Sequence, residues 1–206
     1  MAVRAVVPRR AKPQAVTVKE GDIAQLARSF ERGLRAANRS PGTIRIYTIS
    51  VAQLADFLAG HGMPLVVANL TREHIEMWLA DVLERRSAGT AETRYRGAKS
   101  FFDWLLEEGE IKRSPMVNVK RPQVAEVPPP MLSDDELRRL LATCEGKGFM
   151  ERRDLAILRL FLDTGLRRSE LAYLRVADVD LDSNVVAVVG KFRRPRVVPF
   201  GRKTAQ

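Results

Sequence analysis

Apolar residues in the first half of the chain recur at alternating intervals of three and four residues, which is the period of an α-helix. The clearest repeat lies within residues 41–60 and consists of Ile44, Tyr47, Val51, Leu54 and Leu58. Ser40-Pro41 before it is typical of a helix N-cap and first turn, and Gly60 after it is typical of a helix end. A β-strand would place these residues on both of its faces, so the segment is predicted to be helical.

Three other segments carry the same period: residues 21–37, a segment that starts at Thr71, and a segment from about Thr90 to Glu108. Their inward-facing residues are Ile23, Leu26, Phe30 and Leu34, then Ile75, Trp78, Leu79 and Val82, then Tyr95, Ala98, Phe102 and Leu105. Because the intervening turns are short, we expect four helices that pack as one all-α unit.

A proline-rich stretch separates this half from the next. Residues 111–131 hold five prolines and no periodic apolar run, which predicts a semi-extended linker. We expect a flexible basic arm at 1–20, a helical domain at 21–119, the linker at 120–131 and a second domain at 132–206.

The second domain is predicted to be α+β. Ser133 and Glu136 have the spacing of a capping box, and residues 151–163 are apolar on nearly every side until Gly165, which suits a left-handed helix end. A short helix at 169–174 and two β-like runs, at 184–189 and 196–200, follow.

The charge of the chain favours a polyanionic partner. There are 35 Lys and Arg against 25 Asp and Glu, a net charge of +10. The excess lies in residues 1–20 and 190–206, and the residues between them are balanced. Nucleic acid is therefore the first hypothesis, because neutralising phosphates releases counterions. A basic surface that binds nothing is the alternative.

Few residues are available for metal or cofactor chemistry. Cys144 is the single cysteine, which excludes an intrachain disulfide and a cysteine cluster, and the two histidines lie in the first half. Asp178, Asp180 and Asp182 alternate but lack the Gly and Glu of an EF-hand, so they are interpreted as a turn. We predict no cofactor and no metal.

The N-terminus lacks the apolar core of a secretory signal, and no apolar run is long enough to span a bilayer. A cytoplasmic location without membrane contact is therefore expected.

Two segments resemble the tyrosine recombinase, or phage integrase, family. The run Asp163-Thr164-Gly165-Leu166-Arg167-Arg168-Ser169-Glu170-Leu171 is similar to the family box that carries the first catalytic arginine. The run Val188 to Pro199 is similar to the family's β-hairpin with its Gly-Lys and Val-Pro. Residues 40–47 and 93–105 resemble the SAM-like, four-helix core-binding domain of Xer-type members, which would precede the first part of an α+β catalytic domain.

The resemblance implies roles for three residues. Arg167 would bind the scissile phosphate, Glu170 would support it through an i,i+3 contact, and Lys191 would donate a proton to the leaving 5′ oxygen. From the residues alone, Arg167 could equally cap a turn on the surface and Lys191 could be a solvated loop lysine.

The rest of the family's catalytic set has no counterpart in these 206 residues. A His/Lys-x-x-Arg box, a further His or Trp and a tyrosine nucleophile are missing, and Tyr47, Tyr95 and Tyr173 do not match the nucleophile's place. We therefore expect a C-terminally truncated recombinase that does not cleave DNA alone, which leaves its status as an enzyme open.

Double-stranded DNA is the predicted partner, and an oligomer with itself or with a full-length recombinase is a further possibility. The residues predicted to contact DNA are Thr43, Arg45, Thr48, Arg94, Arg96, Lys99, Arg193, Arg194 and Arg196. For each of these residues, the alternative is an ordinary exposed polar position that binds nothing.

At the level of function, the leading hypothesis is site-specific recombination through a 3′-phosphotyrosine. The alternatives are a non-catalytic DNA-binding regulator or competitor of a full-length recombinase, and a general basic nucleic-acid-binding protein.

Overall fold

A computed structural model describes residues 21–190 and 194–205, which form two compact units divided between Val127 and Pro128. The predicted basic arm at 1–20 lies outside the described residues, as do Lys191 and Arg193. The described part of the chain is mainly helical with one small sheet, which confirms the predicted fold class.

The first unit consists of four α-helices and one 3-10 turn within its described residues. The elements are α1 (Ile23–Ala36), α2 (Pro41–Gly60), a 3-10 turn (Val67–Asn69), α3 (Arg72–Arg85) and α4 (Ala88–Glu107). All four helices predicted from the apolar periodicity are present.

Side-chain caps explain where the helices begin. The Ser40 hydroxyl accepts a hydrogen bond from the backbone N–H of Thr43, and Pro41 occupies the first turn of α2, as predicted. Asp22 caps α1 by accepting from the N–H of Ala24 at 2.8 Å. Helix α4 starts two residues earlier than predicted because Ser87 caps it by accepting from the N–H of Thr90.

The core of the first unit is aromatic and aliphatic. Its largest fully buried side chains include Phe30, Leu54, Trp78, Phe101 and Leu105. They come from the inward faces of all four helices, which is why none of the helices needs to be stable alone.

Residues 111–121 pack against this unit, although the sequence predicted a semi-extended stretch from residue 111 onward. Ile111, Met116 and Val119 are buried in its core, and the Tyr95 hydroxyl donates to the carbonyl of Val119 at 3.3 Å. The sequence contained no periodic signal here because the segment is irregular and its buried residues are spaced unevenly. No helix or strand lies between the end of α4 and residue 134, so the described residues 108–133 are irregular throughout.

The second unit combines helices with a three-stranded sheet. Its described elements are α5 (Asp134–Ala142), α6 (Phe149–Thr164), α7 (Arg168–Ala172), a 3-10 turn (Val176–Asp178), β1 (Val179–Asp180), β2 (Val185–Val189), β3 (Pro195–Pro199) and α8 (Arg202–Ala205). The strands are antiparallel in the order β1-β2-β3, with Val186 opposite Val198 and Val188 opposite Arg196.

The helix-capping residues predicted for the second unit are observed. The Ser133 and Glu136 capping box forms in full, and Gly165 ends α6 with φ 59°. Strand β1 was not predicted, because it is two residues long and lies among aspartates that suit a turn. Helix α8 was also missed; Asp163 holds it by accepting from the N–H of Gly201 and the hydroxyl of Thr204.

The core of the second unit is small. Its buried members are Leu166, Val186, Val188 and Phe200. Helices α5 and α6 contribute no buried residue, and Phe149, at the start of α6, is 77% exposed. Cys144 lies in the turn after α5 and is half-buried.

Helices α2 and α4 approach closely at Gly97. A β-carbon at this position would lie 2.4 Å from the Ser50 hydroxyl oxygen and 3.4 Å from the Cα of Tyr47. Ser50 is fully buried and cannot turn toward solvent. The absence of a side chain at Gly97 therefore sets the distance between the two helices.

We predict that Gly97→Ala lowers the free energy of unfolding of the first unit by about 1–3 kcal/mol, the usual cost of overpacking. Gly60→Ala is the matched control, because no atom lies within 4 Å of its β-carbon, and it should leave stability unchanged or raise it. Urea unfolding followed by tryptophan fluorescence measures this, since both tryptophans, Trp78 and Trp104, lie in this unit. Equal midpoints for the two variants would contradict the prediction.

Candidate functional site

The end of α6 places Arg167 at the surface of the second unit. Gly165 turns the chain in the left-handed conformation, and the next residue, Leu166, is 4% exposed and anchors the turn in the core. Arg167 then serves as the N-cap residue of α7. Its side chain is 61% exposed, so most of the guanidinium faces solvent.

Glu170 holds Arg167 from one turn further along. Its carboxylate accepts the backbone N–H of Arg167 at 2.8 Å and the Nη1 of the same residue at 2.9 Å. The predicted i,i+3 contact is therefore present. The Glu170 side chain is only 4% exposed, so this is a buried charge with a fixed orientation.

A second guanidinium reaches the same carboxylate from the sheet. Arg196 on β3 donates from Nη1 to Oε1 of Glu170 at 2.7 Å and from Nη2 to Oε2 at 2.9 Å. This two-pronged geometry is the one that arginine and carboxylate groups favour. Glu170 thus links α7 to β3 through Arg167 and Arg196.

The contact between Glu170 and Arg196 favours the charged form of both groups. The hydrogen bonds from Arg196, followed by the backbone N–H of Arg167, lower the pKa of Glu170 to about 2. The same contact raises the pKa of the Arg196 guanidinium. Two positive charges and one negative charge give the cluster a net positive charge, with Arg167 as its exposed end.

Arg196 has a partner within the unit that the sequence did not indicate. Its guanidinium is bound to Glu170 in a two-pronged contact, and its predicted contact with DNA stays a prediction. Its side chain is 39% exposed, against 61% for Arg167. No sequence signal could show this, because the contact depends on the register of β3 against β2.

The side chain of Arg196 leaves no room for a β-carbon at position 190. A β-carbon at Gly190 would lie 2.9 Å from Nη1 of Arg196, in the path of the side chain that reaches Glu170. The N–H of Gly190 also donates to the carbonyl of Arg194 at 2.8 Å, which closes the loop. Lys191 and Arg193 lie outside the described residues, so their predicted roles remain predictions. Arg194 is exposed.

The predicted contact residues on α2 are partly engaged within their own helix. The Thr43 hydroxyl hydrogen-bonds with the Ser40 hydroxyl at 2.8 Å, and the Thr48 hydroxyl donates to the carbonyl of Ile44 at 2.9 Å. Arg45 is exposed. Of the three, Arg45 has the greatest freedom to reach a ligand.

Two of the predicted contact residues on α4 form ion pairs along that helix. Arg96 lies 3.0 Å from the carboxylate of Glu92, and Lys99 lies 2.8 Å from that of Asp103. The Glu92 carboxylate is 10% exposed and also pairs with Arg121 at 2.5 Å. Arg94 differs from both, since it is half-buried and is not among the ion pairs of the described residues.

Metal-binding groups and membrane-spanning helices were sought in the described ranges. Residues 21–190 and 194–205 contain no group of three or more His, Cys, Asp or Glu side chains that could hold a metal ion. Among the helices of those ranges, none combines the length and apolarity that crossing a bilayer requires.

We predict that the carboxyl carbon of Glu170 titrates with a midpoint of about 2 in an NMR experiment, and that Arg196→Gln moves the midpoint up toward the ordinary value of 4.5. Because the folded pKa is lower than the unfolded one, the contact stabilises the protein above about pH 4.5, and this stabilisation is lost as the pH falls toward about 2. Arg194→Gln, on the same hairpin, is the control and should leave the midpoint in place. A wild-type midpoint near 4.5 would refute the shared-carboxylate geometry.

Comparison with known proteins gives the chain its family. Residues 130–206 match the phage integrase family, and residues 26–110 match the SAM-like N-terminal domain of phage integrase. Together the two matches take in most of the sequence, and each falls mainly within one of the two units.

Similar relatives are tyrosine recombinases named XerC. The protein of Roseiflexus castenholzii is 36% identical over 171 residues, and that of Oceanobacillus iheyensis is 31% identical over 165 residues. These alignments cover 82% and 80% of this chain but 54% of each relative. The chain thus spans about half the length of the curated relatives it matches.

Solved structures show the same fold. A lambda integrase tetramer bound to a Holliday junction matches with a TM-score of 0.68 at 18% identity, covering 86% of this chain and 50% of that one. The Tn1549 transposon integrase, in complex with a circular intermediate DNA, matches with a TM-score of 0.66 at 17% identity, covering 91% and 63%. With both domain matches, the XerC relatives and this fold in agreement, the chain belongs to the phage integrase family, as a Xer-like tyrosine recombinase.

Proposed function

We propose that this chain binds double-stranded DNA at a recombination site and that Arg167 contacts the phosphodiester at which recombinases of this family act. The observation that carries the proposal is the exposed Arg167 guanidinium, fixed from beneath by the buried Glu170 carboxylate. A planar guanidinium offers parallel donors to two phosphate oxygens, and prior fixation reduces the entropy lost on binding.

The comparisons support DNA as the partner. The structural neighbours include lambda integrase bound to a Holliday junction and XerH recombinase bound to its difH substrate, and the net charge of +10 suits a polyanion. One neighbour is a tetramer, which supports the proposal that this chain assembles on DNA with copies of itself or with a full-length recombinase. We propose a cytoplasmic location as well, which suits a DNA partner.

The chemistry of the family assigns a clear task to Arg167. In strand cleavage a tyrosine oxygen attacks phosphorus, a 3′-phosphotyrosine bond forms, and the bond to the 5′ oxygen breaks as that oxygen gains a proton. Negative charge on the non-bridging oxygens rises in the transition state, and a fixed guanidinium stabilises it more than the ground state. We propose Lys191 as the proton donor on the basis of its place in the hairpin sequence.

We further propose that these 206 residues bind DNA without cleaving it, because none of the three tyrosines suits the nucleophile's role. Tyr47 and Tyr95 pack against the core of the first unit, and the Tyr95 hydroxyl donates to Val119. Tyr173 is 83% exposed but caps the C-terminus of α7, six residues after Arg167. Binding without cleavage is the property of a regulator or competitor of a full-length recombinase.

A general affinity for nucleic acid is the second candidate, favoured only by the net charge. It predicts equal affinity for RNA and for unrelated DNA, with strong salt dependence and no preferred site. Competition by unrelated RNA therefore separates it from the proposed function.

We predict that Arg167→Ala weakens binding to recombination-site DNA by about tenfold, the usual effect of losing one charged hydrogen-bonding group. Arg168→Ala is the matched control, since Arg168 is also exposed but does not contact Glu170 among the described residues, and it should weaken binding by less than about threefold. Fluorescence anisotropy at fixed salt concentration measures both. Equal losses for the two variants would mean that only overall charge matters.

We also predict that the 206-residue chain forms no covalent adduct with a nicked suicide substrate. Denaturing gel electrophoresis of radiolabelled DNA would reveal a phosphotyrosine bond as a slowly migrating band. An adduct that Tyr173→Phe abolishes would identify Tyr173 as the nucleophile and overturn the proposal of binding without cleavage.

A further inference from the structure

The first unit contains an open groove of about 630 Å³ where α2, α3 and α4 meet. Phe57, Trp78 and Val82 form part of its apolar lining. Around them stand the charged groups Asp56, Asp81, Arg85, Arg86 and Arg94. A groove of this composition can bind a charged group beside its apolar lining.

Arg94 on α4 is the unusual member of this set. Its Nε is buried, and it has no hydrogen-bond partner among the residues that the structure describes. A buried donor without an acceptor is unfavourable, and most such groups in proteins are satisfied. The arrangement therefore suits a ligand that supplies an acceptor at this point.

Arg86 brings a second positive charge to the same place. Arg86 and Arg94 line the same groove. Burial lowers the pKa of the Arg94 guanidinium, and repulsion from the charge of Arg86 lowers it further. Neither residue takes part in an ion pair within the described ranges. An anion between them would remove the repulsion.

The acidic residues of the groove do not already serve this purpose. Asp81 pairs with Arg85 at 2.7 Å, so its charge is compensated one turn away on α3. Asp56 on α2 lines the groove but lies in no ion pair among the described residues. Its carboxylate is unfavourable for an anion close to it, so an anion would bind on the side of the groove that Arg86 and Arg94 line. His61 is oriented toward its own helix, with Nδ1 2.8 Å from the carbonyl oxygen of Phe57.

We propose that Arg86 and Arg94 together bind one phosphate of the DNA backbone in this groove. The inference rests on the proposed DNA partner, and it assigns to that partner a contact site on the first unit that is separate from Arg167. A phosphodiester suits the site because its two non-bridging oxygens can each accept from a different guanidinium. The groove also opens beside the N-terminal turn of α4, where Thr90 lines it, and a helix N-terminus adds a favourable dipole for an anion.

The groove supplies its own control for an experiment. Arg85 lines the same surface and carries the same charge, but its guanidinium already pairs with Asp81. The full chain is prepared with Arg94→Gln, with Arg86→Gln and with Arg85→Gln. Binding to duplex DNA is then measured by anisotropy as a function of salt concentration.

The expected result is a DNA affinity about tenfold lower at low salt for Arg94→Gln and for Arg86→Gln, equally for all DNA sequences. Each of these two variants should also reduce the slope of log affinity against log salt by about one. Arg85→Gln should change the slope by less than half as much. Equal slopes for all four proteins would overturn the proposal while leaving DNA binding itself established.

A second measurement separates an anion site from a purely structural role for Arg94. Inorganic phosphate, compared with chloride at equal ionic strength, should raise the melting temperature of the wild type and of Arg85→Gln, but not of Arg94→Gln or Arg86→Gln. If Arg94 only held the helices together, Arg94→Gln would melt well below the wild type without phosphate, and the proposal would fail. Phosphate stabilisation through these residues in a protein that does not bind DNA would support the site and refute the proposed function.

Discussion

The buried carboxylate of Glu170 is the contact on which the candidate site of the second unit depends. A carboxylate removed from water is unfavourable unless it is paired and hydrogen-bonded, and here four N–H groups of two arginines donate to it. Loss of either arginine would leave buried charge under-compensated. Arg167, Glu170 and Arg196 therefore act as one unit, although 29 residues of sequence separate the first from the last.

The hairpin satisfies two geometric conditions that this cluster imposes. Arg196 must face α7, and it does so because it lies opposite Val188 in the register of β2 and β3. A shift of that register by one residue would turn Arg196 to the opposite face of the sheet. The chain must also leave room for the guanidinium beside the loop, and Gly190 provides it. The glycine and the arginine of the hairpin thus serve the same contact with Glu170.

The sequence predicted features that depend on local rules and missed those that depend on tertiary contacts. The period of the apolar residues located the helices of the first unit, and the capping signals at Ser40 and Ser133 located helix starts, because both act within a few residues. The packing of residues 111–121 was missed because Met116 and Val119 are buried by neighbours distant in sequence. The i,i+3 contact of Glu170 with Arg167 followed from helix geometry, whereas its contact with Arg196 required the sheet register.

Net charge is a weak guide to where this protein can bind an anion, and the two units show why. Two of the three basic residues of α4 that were predicted to contact DNA form ion pairs with acids one turn away: Arg96 with Glu92 and Lys99 with Asp103. Such exposed pairs add little stability and reduce the local potential. Arg167 retains its capacity for a ligand for the opposite reason: its acidic partner is buried beneath it and is shared with Arg196, so the exposed edge of its guanidinium carries uncompensated charge. Anion recognition in this chain therefore depends on where the carboxylates lie relative to the arginines, more than on the number of arginines.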